Sequence, residues 1–451
     1  MIYTFYPKKN TGKPIYTQLY EYIRDAIKTQ KIISGTRLPS IREASSQLHL
    51  SKTTIESAYF QLATEGYIES LPKKGYYVSE LMHYFEHQNE YVQHSPHTSE
   101  LFSSQEPYFK NENVHEGSLD IKAWKKLYNH ILFDRSESVY SPSSHQGELI
   151  LRKAISQFVN GTRGGNTSPE QVVIGAGIQY LIGILAGMIK STIRTAAVED
   201  PGYEKARYVF EDYGFDTIDI PVGDDGLQIE SLKASHAKIV YVSPSHQFPT
   251  GSLMPISKRL QLLSWADSVK GFILEDDYDS LIRFESKPVP CLQGLDQSDR
   301  VIYLGSFSKI LTPALRISYM ILPRRLMADY QSIAHRYTQS SSKLEQITLA
   351  LFIQEGHIDK HLRKIKRIYH KKMTLLQKYL EKLWGDKVDL ISADSGLHAV
   401  ITLKSEKPPD QLVLFFENHG ISVNIIRNVL HTYEISLSYS GIPFDELSNM
   451  T

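Results

Sequence analysis

At 451 residues the chain exceeds the roughly 250–300 residues at which a single core stops growing, so more than one domain is expected. An apolar fraction of 41% beside 22% charged residues excludes a disordered or fibrous chain, and equal totals of 50 basic and 50 acidic residues leave no overall field announcing nucleic acid. A single cysteine, Cys291, excludes a disulfide framework and a cysteine-built zinc site; with no apolar leader and no run of about 18 apolar residues, a cytoplasmic, metal-free protein away from membranes is expected.

The first 80 residues depart from this balance, with 11 Lys and Arg against 7 Asp and Glu. Apolar residues at Ile15, Leu19, Tyr22, Ile23, Ala26 and Ile27 recur at helical spacing and predict a helix over 15–27, just after Pro14. Ser40, with Glu43 three residues on, caps a second helix over 41–48. Ser51 caps a third from Lys52 to about Gly66, whose buried face is Ile55, Ala58, Tyr59, Leu62 and Ala63. Two short strands follow, over 67–70 and 76–78, around the basic tip Leu71-Pro72-Lys73-Lys74-Gly75. Three helices and a hairpin make a winged helix-turn-helix, placed at 1–81.

In such a unit the third helix enters the major groove by its amino end, and Ser51, Lys52, Thr53 and Thr54 offer the small, polar and cationic side chains that phosphates and base edges accept. Arg37, Ser40 and Arg42 lie where they can clamp the backbone, and Lys73, Lys74 and Tyr76 form the wing's contribution. Taken singly, each lysine reads equally as a solvated charge and each serine as a cap. The run Gly35-Thr36-Arg37-Leu38-Pro39-Ser40-Ile41-Arg42-Glu43, then Leu50-Ser51-Lys52-Thr53-Thr54, then Ala58-Tyr59 and Glu65-Gly66-Tyr67-Ile68 resembles the GntR family of winged-helix regulators over about 65 residues. Lys52 departs from the Arg usual there, which keeps the charge and loses the planar fork.

Residues 82–116 are rich in His, Ser, Gln, Asn and Glu without a sustained period and read as a flexible linker. From 117 to 451, apolar runs at 172–174, 196–198, 238–242, 271–274 and 301–304 alternate with helical patterns, which predicts an α/β domain around a mostly parallel sheet covered on both faces. About residues 360–451 form a smaller α+β subdomain, with a charged helix over 361–383 and strands at 397–403 and 434–438.

Within the large domain Ser306-Phe307-Ser308-Lys309, with Arg316 seven residues on, supplies a lysine for an aldehyde and hydroxyls and a cation for a phosphate. A carboxylate must keep a pyridoxal ring nitrogen protonated; Asp276, in Glu275-Asp276-Asp277-Tyr278, is the choice, with Tyr278 for the phenolic oxygen. Glu275 and Asp277 stay open as alternatives, because neighbours on a strand end point opposite ways. Gly177, Ile178 and Gln179 open a helix after a strand and suit a phosphate, while Tyr203, in Glu199-Asp200-Pro201-Gly202-Tyr203, is placed to stack on the ring.

Together with Ser245-His246-Gln247-Phe248-Pro249-Thr250-Gly251 these motifs resemble the fold type I aminotransferase domain, and their union with the winged helix resembles the MocR group of GntR regulators, of which GabR is the type. The resemblance implies pyridoxal 5′-phosphate as cofactor, Lys309 as its Schiff-base lysine, Asp276 at the ring nitrogen, Tyr278 at the phenolic oxygen, His246 in the cofactor's surroundings, and Ser306, Ser308 and Arg316 around the phosphate. It further implies an effector arginine, for which Arg427 is the candidate, with Lys205 and Arg207 as further effector candidates. A head-to-tail homodimer, double-stranded DNA with repeated half-sites, and an amine or amino-acid effector complete the expectation. Ile178 and Phe248 depart from enzymes of this fold, which often carry a hydroxyl and an asparagine there, so sensing is favoured over turnover; an aminotransferase with a regulatory DNA-binding domain is the alternative.

Overall fold

The computed structural model describes residues 5–8, 12–79, 114–134, 136–284, 289–392 and 397–450. The chain divides into two compact units, Met1–Gln105 and Glu106–Thr451. Residues 82–113 of the expected linker lie outside the described residues.

In the first unit helices α1 (Ile15–Lys28), α2 (Ile41–Leu48) and α3 (Lys52–Thr64) precede strands β1 (Ile68–Leu71) and β2 (Gly75–Val78). The α2 start is a full capping box: the Glu43 N–H donates to Ser40 Oγ at 3.3 Å, and the Ser40 N–H to Glu43 Oε2 at 2.8 Å. Ser51 Oγ receives the Thr54 N–H at 3.2 Å and starts α3. Ile55, Ala58, Tyr59 and Leu62 of α3 are fully buried, each large one contributing about 1.5–3 kcal/mol, so this helix is anchored and its polar amino end held outward. On α1 the inner aromatic is Tyr20, whose hydroxyl reaches Glu65 beyond α3, and Tyr22 is only partly buried. The hairpin pairs Ile68 with Val78 and Leu71 with Gly75.

The second unit is built on an eight-stranded sheet. Its strands are β3 (Val172–Gly175), β4 (Thr195–Asp200), β5 (Asp216–Gly223), β6 (Gly226–Leu227), β7 (Ile239–Val242), β8 (Phe272–Asp277), β9 (Val301–Ser306) and β10 (Ser318–Ile321), in the order β3-β10-β9-β8-β7-β4-β5-β6. Pairs β5-β4, β4-β7, β7-β8 and β8-β9 are parallel, and β10 lies antiparallel between β9 and β3. Side chains alternate between two cores: Ile302 and Leu304 pack with helix Ile178–Ile189, whereas Tyr303 packs with helices Leu149–Arg163 and Lys343–Gln354. Both faces are thereby covered, as the unbroken apolar runs require.

A 28-residue helix, His357–Trp384, leads into a second sheet of β11 (Val388–Ser392), β12 (His398–Lys404), β13 (Ser422–Val429) and β14 (Thr432–Ser438), antiparallel in the order β11-β12-β14-β13. Two of these strands, β11 and β13, were not expected. Each is an outer strand, and β13 is only half buried and carries Asn424, Arg427 and Asn428 among its apolar residues, so it lacks a readable period.

Candidate functional site

Strands β4, β7, β8 and β9 run parallel, and β3 runs the same way because both it and β9 oppose β10. Their carboxyl ends, followed respectively by Tyr203, His246, Tyr278, the Lys309 turn and Gly177, therefore lie along one edge of the sheet, where open α/β sheets bind ligands.

The three carboxylates at the end of β8 differ in what already holds them. Both oxygens of Glu275 receive backbone N–H groups, from Leu292 at 2.8 Å and Gln293 at 3.0 Å. The charge of Asp277 is matched by buried Arg163, whose Nε lies 2.6 Å from Oδ2, and the Tyr303 hydroxyl donates to the same oxygen. Asp276 accepts the Tyr241 hydroxyl on Oδ2, while its buried Oδ1 has no hydrogen-bond partner among the described residues. Burial pushes the Asp276 carboxyl up to about 7, against the lowering effect of the Tyr241 bond. A protonated ring nitrogen at Oδ1 answers both features: it supplies a donor and a positive charge. Tyr241 also stacks on Tyr203, with ring centroids 6.2 Å apart. Nothing in the local sequence marks Tyr241, which reads as one more apolar residue of a buried strand.

Gly177 precedes helix Ile178–Ile189 at φ +115°, and a Cβ there would stand 2.6 Å from Arg316 Nη2. That guanidinium donates to the Ala176 carbonyl at 2.8 Å. A helix amino end with unused N–H groups beside an arginine is a phosphate cradle, with Ile178 half-buried and Gln179 exposed. Ser306 Oγ receives the Ser308 N–H at 3.2 Å and the Ser318 hydroxyl at 2.9 Å, which fixes the turn carrying half-buried Lys309. The Tyr278 hydroxyl lies 3.0 Å from His246 Nδ1, itself 2.7 Å from Asp279 Oδ2.

Of the three expected effector residues, the two arginines stand beside carboxylates. Arg427 sits on β13 opposite Glu434, 3.7 Å from its carboxylate and half exposed. That rung is four residues along β14 from the His398–Ser438 rung, about 13 Å. A bulge between Ile425 and Arg427 sets this register, which sequence alone does not disclose. Arg207 is paired with Asp219 of β5, and Lys205 is exposed on the helix Glu204–Asp212.

In the first unit Lys52 and Thr53 are exposed at the amino end of α3, and Arg37, Arg42, Lys73 and Lys74 are exposed around it. Ser51 Oγ also contacts the hydroxyls of Thr53 and Thr54, at 3.0 and 2.8 Å. Arg37 packs over Gly75 of the wing, where a Cβ would lie 3.6 Å from its Nε. The Tyr76 ring packs edge-on against buried Tyr59 at 5.1 Å and stays partly exposed on the wing. Replacing Lys52 with Ala is expected to weaken binding similarly on all DNA sequences and to reduce the log–log salt slope by about 1. DNA retention across a salt series measures this; an unchanged slope would mark Lys52 as a solvated charge.

Residues 15–78 match the family described as bacterial regulatory proteins, gntR family, and residues 110–428 match aminotransferase class I and II. The chain is 38% identical to the uncharacterized HTH-type transcriptional regulator YdeL of Bacillus subtilis (strain 168), over 95% of this chain and 91% of the relative. It is 30% identical to the probable rhizopine catabolism regulatory protein MocR of Rhizobium meliloti, covering 96% and 92%, and 30% identical to the pyridoxine biosynthesis regulator PdxR of Corynebacterium glutamicum, covering 94% and 90%. Among solved structures, kynurenine aminotransferase of Pyrococcus horikoshii superposes with a TM-score of 0.65 at 21% identity, over 75% of this chain and 87% of that one.

The class is thus a DNA-binding winged helix joined to an aminotransferase-fold domain. The chain belongs to the MocR-type group of GntR transcription regulators. Pyridoxal phosphate is the cofactor that goes with this domain, and the open Asp276 oxygen and the Gly177–Arg316 cradle fit it. No helix among the described residues is long and apolar enough to cross a membrane.

Proposed function

We propose that this regulator holds pyridoxal phosphate at Lys309 and reads an amine, an amino acid or the cofactor itself there, altering how its winged helices engage operator DNA. The observation that carries the reading is Asp276: of three clustered carboxylates, it alone combines a charge matched by no cation with an oxygen open to a ring nitrogen. When bound, pyridoxal phosphate supplies an aldehyde that condenses reversibly with primary amines. Lys309 would hold it, Asp276 would keep the proton on the ring nitrogen, Tyr278 would meet the phenolic oxygen with His246 behind it, Tyr203 would stack on the ring, and the backbone at Gly177, Ile178 and Gln179 with Ser306, Ser308 and Arg316 would take the phosphate.

The DNA-binding segment spans 1–81, a linker 82–116 and the effector domain 117–451. The protein acts in the cytoplasm as a head-to-tail homodimer on operators with repeated half-sites, and the ligand works by favouring one arrangement of the dimer. The test is a panel of amino acids and amines added to cofactor-loaded protein, read by the visible absorption of the lysine-bound cofactor and by retention of operator DNA selected from random sequence. At least one amine is expected to remove the absorption and to change DNA affinity roughly tenfold. Steady ketoacid production without sequence-selective DNA retention would overturn the reading in favour of a working aminotransferase.

A further inference from the structure

Beside the Lys309 turn two imidazoles face each other, and the cofactor assignment uses only one of them. His398, the first residue of β12, is 4% exposed, and its ring lies 4.5 Å from that of His246 at 23° from parallel. Phe248 meets it edge-on at 5.6 Å. His398 Nε2 is buried with no hydrogen-bond partner among the described residues, which leaves it to a bound ligand or water. His246, Asp279 and His398 bring three potential metal ligands within 4.8 Å of one another. Imidazole lone pairs lie in the ring plane, however, so two rings this near to parallel aim theirs side by side and do not converge on one ion.

The chemistry of this corner selects its partner. Burial first, then the neighbouring His246 and Lys309, push the His398 pKa down to about 3, so the ring is neutral and cannot balance a carboxylate. The Asp279 carboxylate, close enough to act on the same ring, adds repulsion against an anion. A neutral imidazole donates at one nitrogen and accepts at the other, which matches an uncharged hydroxyl.

We propose that His398 contacts the effector, its Nε2 hydrogen-bonding a hydroxyl group of the amine that engages Lys309. The inference rests on the Lys309 reading above. It also gives the ligand a hold on the small subdomain, because β12 belongs to that sheet. The long helix leading into the same sheet grips the chain where the effector domain begins: Tyr369 accepts the His115 N–H at 3.2 Å, and Lys364 donates to the Gly117 and Ser118 carbonyls at 2.8 and 2.9 Å.

The test uses full-length, cofactor-loaded protein and two amine pairs that differ by one hydroxyl, L-serine against L-alanine and 2-aminoethanol against ethylamine. Loss of the visible absorption gives an apparent affinity for each. The wild type is expected to favour the hydroxylated member of at least one pair by about fivefold. His398→Phe, which keeps the stacked ring and removes its nitrogens, is expected to bring that ratio close to one while leaving the affinity for the hydroxyl-free member within about twofold; His398→Gln, which keeps a donor and an acceptor, is expected to retain part of it. A wild-type ratio near one in both pairs, or a ratio unchanged in His398→Phe, overturns the assignment and leaves the Lys309 reading standing. If the phenylalanine variant does not fold, a full wild-type ratio in the asparagine variant His398→Asn with its shorter reach overturns it equally. Wild-type protein that shows no lysine-bound absorption fails the Lys309 reading and the inference with it.

Discussion

Replacing Arg163 with Met is expected to destabilise the effector domain by about 3–5 kcal/mol. The side chain is 1% exposed and its partner Asp277 2%, so removing the guanidinium leaves a carboxylate buried without a cation. It also deprives the Val289 carbonyl and the Ser245 hydroxyl of donors at 2.6 and 2.7 Å. The contrast is Lys233–Glu230, 52% and 85% exposed, where water and salt screen the pair and its loss should cost under about 1 kcal/mol. All three tryptophans, Trp124, Trp265 and Trp384, lie in the effector domain, so their fluorescence in a urea titration follows that domain alone. A second substitution, Asp277→Asn, keeps an acceptor for Tyr303 and removes the stranded charge; it should recover much of the loss. An unchanged midpoint in Arg163→Met would contradict this account of the strand end.

Replacing Lys309 with Ala should abolish the visible absorption of the lysine-bound cofactor completely, because no other amine is positioned by the Ser306–Ser308 turn. Non-covalent holds remain in the Asp276 oxygen and the Gly177–Arg316 cradle, so the variant should still take up the cofactor but release it on dialysis. Spectra before and after dialysis check both halves. Persistence of the absorption would place the reactive lysine elsewhere.

What the sequence discloses here follows how local each signal is. The winged helix is legible almost to the residue because its caps act over three positions, as at Ser40 with Glu43 and Ser51 with Thr54. Strands β3, β4, β7, β8 and β9 announce themselves because burial on both faces demands unbroken apolar runs. The choice among Glu275, Asp276 and Asp277 could not be closed that way. It turns on Tyr241, Arg163 and Leu292, which lie 35, 114 and 17 residues from the carboxylates they hold. Arg427 illustrates the opposite hazard: its residue type suits an effector, but a bulge and a strand register decide where it stands. The contact of Tyr76 with Tyr59 is of the same kind: its place in the wing is local, but its ring packing 17 residues away is not.

The most direct test of the switch is the affinity of wild-type and Lys309→Ala protein for the same selected operator, with and without the amine that removes the wild-type absorption. Coupling through Lys309 predicts a change of roughly tenfold in the wild type and none in the variant. Equal changes in both proteins, or no change in the wild type while its absorption disappears, would contradict it.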